Sequence, residues 1–248
     1  MVMKSNVENM SRLFHAPLFR HRHFPDDVIV QALRWYLRYS LSYRDLKELL
    51  AERGVIVDHT TIWRWVNRYG PELDERMRPH LLPTGVQWRV DETYIRVGGQ
   101  WVYQYRAVDA LGATVDFFLS PTRDVHAAKL FLRKAMTSAR REAPEQIVVD
   151  GNPTYPIALR ALQREGILPS SCRCRCSHKD NNLIEQDHRA IQSRADAKQH
   201  FRELTAARRT LSGYEAMHML RKGQADGAGK GDVMAQAEFV YRLLTLAV

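Results

Sequence analysis

Two runs of the chain, QWRVDETYIRV and QWVYQYRAVDA, are rich in Val, Ile, Tyr and Trp and are separated only by Gly98-Gly99. β-branched and aromatic residues fit a pleated strand, and paired glycines supply the left-handed backbone of a tight hairpin turn. The runs therefore predict an antiparallel hairpin, and ATVDFFLS, after Leu111-Gly112, predicts a third strand. QIVVD is a short continuous apolar run, which suits a strand buried on both faces. DVHAAKLFLRKAMTSARRE, PTYPIALRALQREG and NNLIEQDHRAIQSRAD read as helices. This part of the chain is expected to be a mixed α/β domain.

The texture before it is helical. In FPDDVIVQALRWYLRYSL, Val30, Leu33, Leu37 and Leu41 recur at helical spacing. In SYRDLKELLAERG, Ser42 can cap a helix, Asp45 completes a capping box, and Gly54 ends the helix. A short connection leads to DHTTIWRWVNRYG, capped by Asp58 or Thr60. Here Ile62, Trp65, Val66 and Tyr69 share one face, while Arg64, Asn67 and Arg68 are expected on the other. That is a helix-turn-helix pattern, with Thr60, Thr61, Arg64, Asn67 and Arg68 as candidate DNA contacts. Outward Arg and Asn suit base edges; an αα-hairpin with a solvated face gives the same pattern. Pro71, Pro79, Pro83 and Gly85 mark residues 71–86 as a link. The expected organisation is a basic arm over 1–24, containing Arg20-His21-Arg22-His23, then a helix-turn-helix domain over 25–80 and an α/β domain over 86–222. QADGAGKGD and VMAQAEFVYRLLTLA would make residues 223–248 a flexible hinge and a terminal helix, packed on the core or on a second subunit.

Lys and Arg total 37 against 28 Asp and Glu, a formal net charge of +9. That balance favours a polyanionic partner, nucleic acid before acidic membrane. No membrane span is expected, since the apolar stretch from Val240 to Val248 is short and contains Arg242. The N-terminal residues lack a secretory h-region, and three cysteines cannot close a disulfide framework, so a reducing cytoplasm fits.

Three acids stand out against this basic background. Asp91 lies in the first strand, Asp150 ends the QIVV run, and Glu185 falls in the first turn of a later helix. Three carboxylates converging at one sheet edge would repel unless a hard divalent cation sat among them. Asp109, opening DALG, reads as a turn former; Glu92 and Asp116 alternate with apolar neighbours and are expected to face solvent. Asp187 is off the Glu185 flank. Cys172, Cys174 and Cys176 lack the C-x₂-C spacing of a zinc knuckle, and alternation along a strand is expected to send them to opposite faces. CRCRC reads instead as a basic loop, with Arg173, Arg175 and Lys179 near DNA.

RWYLRYSLSYRDLKELLAERG, DHTTIWRW, WRVDETYIRVGGQWVYQYRAVDALG, NNLIEQDHR and EAMHMLRKGQ, in this order, resemble the DDE transposases of insertion sequence family six. The resemblance spans nearly the whole chain. It implies an RNase H-like catalytic core, with Asp91, Asp150 and Glu185 as the catalytic and metal-binding triad. The 34 residues between Asp150 and Glu185 are the family's spacing. It also implies Mg²⁺ or Mn²⁺ as cofactor, two ions in number, and DNA as partner, both inverted-repeat ends and target. Joining two ends implies at least a dimer, in a nucleoid-associated cytoplasmic setting. Two positions depart from the family pattern. Gln192 stands where a basic residue is usual, and Gly151-Asn152 follows Asp150 where Lys is frequent; Arg189 and Arg194 are candidates for the missing phosphate contacts. These departures keep open a DNA-binding repressor that has lost catalysis; a third reading is a metal-dependent nuclease of similar fold that hydrolyses without joining.

Overall fold

The computed structural model describes residues 16–137, 142–177, 182–196 and 201–246. They fall into two compact units, one within residues 1–80 and 209–248 and the other within 81–208.

The first unit is helical. Helix α1 (Asp26–Arg38) buries Ile29, Val30, Leu33, Tyr36 and Leu37. Helix α2 (Tyr43–Ala51) begins with the expected capping box: Ser42 Oγ accepts from the Asp45 N–H at 3.1 Å, and the Asp45 carboxylate accepts from the Ser42 N–H at 2.7 Å. Helix α3 (His59–Met77) is capped by Asp58, which accepts from the Thr60 N–H. It does not stop at Gly70-Pro71, where the sequence suggested a link. The apolar stripe continues through Tyr69, Leu73 and Met77, all buried, and burying two further turns outweighs the one hydrogen bond that Pro71 removes.

Residues 209–222, expected in the α/β domain, lie in the helical unit instead. The reason is a close approach of backbones. A Cβ on Gly213 would meet Leu37 at 2.8 Å and the Cα of Gly70 at 3.1 Å, while Tyr214 stacks on Tyr36 at 5.9 Å. QADGAGKGD is packed rather than extended. Gln224, Ala225 and Ala228 are buried, and the Asp226 N–H donates to the His80 carbonyl. Of the expected basic arm, the described residues are anchored too, with Phe19 buried against Tyr69 and Phe24 set edge-on to Trp65.

The second unit is built on a five-stranded mixed sheet of order β3-β2-β1-β4-β5. Strands β1 (Gln87–Val97), β2 (Gln100–Asp109) and β3 (Thr114–Ser120) run antiparallel, and the β1–β2 turn places Gly98 and Gly99 at φ 57° and 80°. Helix α4 (Val125–Thr137) follows, then β4 (Gln146–Val149), parallel to β1. Helix α5 (Thr154–Arg164) leads to β5 (Arg173–Cys176), parallel to β4, and then to α6 (Asn182–Asp196). Helix α7 (Leu204–Arg221) and helix α8 (Val233–Thr245) complete the chain order, with α8 packed on α1 and α3. Trp88, Val90, Tyr105, Ile147 and Val149 form one core with Phe131 of α4 and Leu159 of α5. Helix α6 packs against β1 and β2. The mixed sheet with flanking helices is the RNase H-like arrangement that the resemblance implies.

Two acids expected to face solvent do not. Asp116 is 2% exposed and pairs with Lys134 at 2.7 Å, and the Glu92 side chain is also 2% exposed. Asp109 does form its turn, accepting from the Leu111 and Ala113 N–H groups. The cysteines do not alternate between faces as expected. Residues two apart on a strand share a face, so Cys174 and Cys176 lie on one side of β5, both exposed, while Cys172 is buried. Among the described residues, no helix is long and apolar enough to cross a membrane.

Gly213→Ala should destabilise the protein by ~1–3 kcal/mol, because the added methyl overpacks the contact with Leu37 and Gly70. Denaturant unfolding followed by circular dichroism will measure it; unchanged stability would show that the approach is looser than described.

Candidate active site

The register of the two parallel strands sets the site. Gln87 pairs with Gln146 and Arg89 with Val148, and the same offset brings Asp91 of β1 level with Asp150, the residue that follows β4. Alternation along β1 then divides its acids. Glu92 shares the face of Trp88 and Val90, under α4 and α5, whereas Asp91 shares the face of Thr93, whose hydroxyl accepts from the Gln192 amide of α6.

Asp150 is held by its own turn. Gly151 takes a φ of 103°, open to glycine at little cost, and the Asn152 N–H donates to Asp150 Oδ1 at 3.0 Å. Asn152 in turn accepts from the Thr154 N–H just ahead of α5, while its side-chain amide donates to Glu92 at 2.8 Å. Gly151-Asn152 thus has a structural use in this chain.

Glu185 lies exposed in the first turn of α6. The helix is seated by buried Ile184 and Ile191, and by an internal ion pair, Asp187 to Arg106 Nη2 at 2.7 Å. Arg106 is wholly buried, so removing either partner would strand a charge in the interior. Burial, aided by Arg106, pushes the neighbouring His188 imidazole down to about 3, so it is neutral.

Burial first, then the carboxylates of Glu92, Asp150 and Glu185, pushes the Asp91 carboxyl up to about 7. The acids therefore feel one another across the sheet end. Among the described residues, however, no three acid, His or Cys side chains lie close enough to hold one ion as placed. A cation already sits beside the acids: Arg123 bonds to Glu92, and its Nη2 lies 3.9 Å from Asp150 Oδ2. Burial opposes its charge, but Glu92 and Asp150 outweigh that and hold the guanidinium's pKa above its ordinary value.

The candidate DNA contacts fare unevenly. Arg64, Arg68 and Thr60 are exposed and Thr61 is partly so, although the Thr60 hydroxyl donates to Asp58. Asn67 is not on the outer face. It is 7% exposed, and its amide donates to the Trp63 carbonyl at 3.0 Å, while Trp63 itself is exposed. Arg189 is exposed, but Arg194 is 6% exposed, packed on the inner side of α6 and closed to a phosphate.

Residues 85–224 match the family model described as a DDE domain. The chain is 40% identical, over 82% of its length and 88% of theirs, to the transposase for insertion sequence-like element IS431mec of Staphylococcus aureus. The chain belongs to the DDE transposases of insertion sequence family six. Over the same shares it is 39% identical to the Staphylococcus aureus transposase for insertion sequence element IS257 in transposon Tn4003. Among solved structures it is similar to the HTLV-2 integrase catalytic core (TM-score 0.42, 13% identity, 62% of this chain and 97% of that one). It is also similar to the catalytic core of BIV integrase (TM-score 0.40, 15% identity, 62% and 95%).

Sequence reasoning missed the contacts that gather around the candidate acids: Glu92 is held by Arg123, by Asn152 and by Tyr155, whose hydroxyl donates to it. The adjacent acids Asp91-Glu92 were a usable signal, because strand alternation gives each a different face and a buried face demands partners.

Folded Asp91 keeps its proton up to about pH 7, whereas an unfolded chain releases it at about pH 4. The folded state therefore binds more protons in that window, and this group's contribution makes folding less favourable as pH rises through it. In EDTA, Asp91→Asn should melt at a higher temperature than the unsubstituted protein at about pH 8 and at nearly the same temperature at about pH 4. Equal melting temperatures at both would refute the assignment of this shift.

Proposed function

We propose that this transposase cuts at its element's ends and joins the exposed 3′-hydroxyl to target DNA at a site made by Asp91, Asp150 and Glu185. The observation that carries the reading is the parallel register placing Asp91 level with Asp150, together with the upward push on Asp91 from Asp150 and Glu185. An oxygen-only donor set drawn from three elements fits Mg²⁺ or Mn²⁺. Two such ions, held by the three carboxylates, would activate the attacking oxygen and neutralise charge on the leaving one.

The chain's own residues prepare that site. The Asn152 N–H orients Asp150, and the Arg106–Asp187 pair fixes α6 and with it the start of the helix that carries Glu185. Arg123 offers positive charge beside Asp150, where a phosphodiester would lie. Gln192, bonded to Thr93, ties α6 to β1, so its departure from the family pattern has a structural use and does not by itself argue for lost catalysis. Arg189, exposed on α6, is the candidate phosphate contact there.

In the helical unit, α2 and α3 serve as a helix-turn-helix that binds the element's inverted repeats, through Arg64, Arg68, Thr60 and Thr61 near the start of α3. Two ends must be handled together, so the working form is at least a dimer.

Asp91→Asn, Asp150→Asn and Glu185→Gln should each reduce cleavage and joining to background while leaving end binding intact, since each keeps side-chain shape and removes a ligand charge. Gel assays with an end-bearing DNA and Mg²⁺ or Mn²⁺ will read both; near-normal joining by Glu185→Gln would refute the triad.

Arg64→Ala should lower the preference for end DNA over random DNA by ~1–3 kcal/mol if Arg64 reads a base. Competition binding measures it, and unchanged affinity for both DNAs would remove α3 from the interface.

A further inference from the structure

The β1–β2 hairpin continues well past the last β1–β4 pair, Arg89 with Val148. On the face covered by α4 and α5, Trp88, Val90 and Tyr105 are fully buried. Further along the same face, Tyr94 is 57% exposed and Trp101 54% exposed. Their rings meet edge to face with centroids 4.9 Å apart, and the Arg96 guanidinium lies 5.2 Å from the Trp101 ring. Glu92, Tyr94, Trp101, Tyr103 and Arg123 line a cleft of about 390 Å³. The Glu92 carboxylate is already engaged by Arg123, Asn152 and Tyr155, so the cleft offers a ligand aromatic surface, with the Arg123 guanidinium beside it and shared with Glu92 and Asp150.

A cross-strand aromatic pair alone would steady a hairpin. That role does not explain rings half open to water in a cleft that also contains Arg123, itself 3.9 Å from Asp150. Flat aromatic surface beside guanidinium groups is the chemistry that takes up a nucleobase and its phosphate. Paired bases in a duplex hide their faces in the stack, and the cleft has room for about one nucleotide, far less than a duplex.

We propose that this cleft receives an unpaired nucleobase of the DNA strand being processed, stacked on Trp101 and Tyr94, with Arg123 and Arg96 beside its phosphates. The proposal rests on the transposase reading of the adjoining acids. It makes local unpairing of the DNA end a step that follows duplex binding, with the unpaired base anchoring the strand beside Asp150.

The test uses the full-length protein in EDTA and two fluorescent probes: a blunt duplex of about 30 base pairs, and the same duplex with an unpaired 3′ extension of about three nucleotides. Base stacking predicts that the unsubstituted protein prefers the extended probe by about tenfold. Trp101→Thr and Tyr94→Thr, which retain strand propensity, should each lose that preference and keep their affinity for the blunt duplex. Trp101→Phe should retain most of the preference. The proposal is overturned if the unsubstituted protein shows no preference, if Trp101→Thr keeps it, or if Trp101→Thr weakens both probes equally. Loss of self-association by Trp101→Thr in ultracentrifugation would assign the aromatics to a second copy and also overturn it. Failure of the unsubstituted protein to bind either probe would overturn the DNA reading itself, an outcome distinct from lost preference.

Discussion

Carboxylates brought together in a partly dry place repel one another, and much of the sheet unit is arranged around that cost. Parallel pairing sets Asp91 level with Asp150, and no side-chain adjustment can undo a strand register. The consequence is written in the Asp91 carboxyl, which holds its proton to about pH 7. Arg123 offsets part of the strain by standing between Glu92 and Asp150. The acids at this sheet end are therefore only partly neutralised by the chain's own cations.

Anchoring is the second half of that arrangement. Glu185 sits on an exposed turn, next to the buried Ile184. Its helix is fixed two residues later by Asp187 and a full two turns later by Gln192, one reaching β2 and the other β1. A buried ion pair adds little net stability, but it tolerates only one seating of the helix. Asp187 is thus the answer to why a basic protein carries two acids so close together in NNLIEQDHR: one is presented, the other fastens.

Much of this was legible in the sequence. The glycine pair fixed the hairpin, Ser42 and Asp45 announced the start of α2, and the apolar run QIVV marked the buried strand. What escaped was whatever depended on tertiary contact. Pro71 reads as a break, yet the stripe through Tyr69, Leu73 and Met77 carries α3 across it. Asn67 and Arg194 read as outward polar residues, but packing buries both. Glu92 looked like the solvent face of an alternating strand. Alternation reports only that two faces differ, and here helices cover one face and part of the other. The boundary at residue 222 failed for a similar reason: the Gly213 contact with Gly70 joins segments far apart in sequence.

The sheet ends, among the described residues, on β5, a short strand with all four residues exposed. An outermost strand offers unsatisfied backbone groups to any passing chain, the usual start of unwanted aggregation. In β5 the sequence Arg-Cys-Arg-Cys places a guanidinium at every second position, so a like strand trying to extend the sheet would bring arginine toward arginine. The run expected to be a basic loop is thus an edge strand whose two arginines, Arg173 and Arg175, share one face.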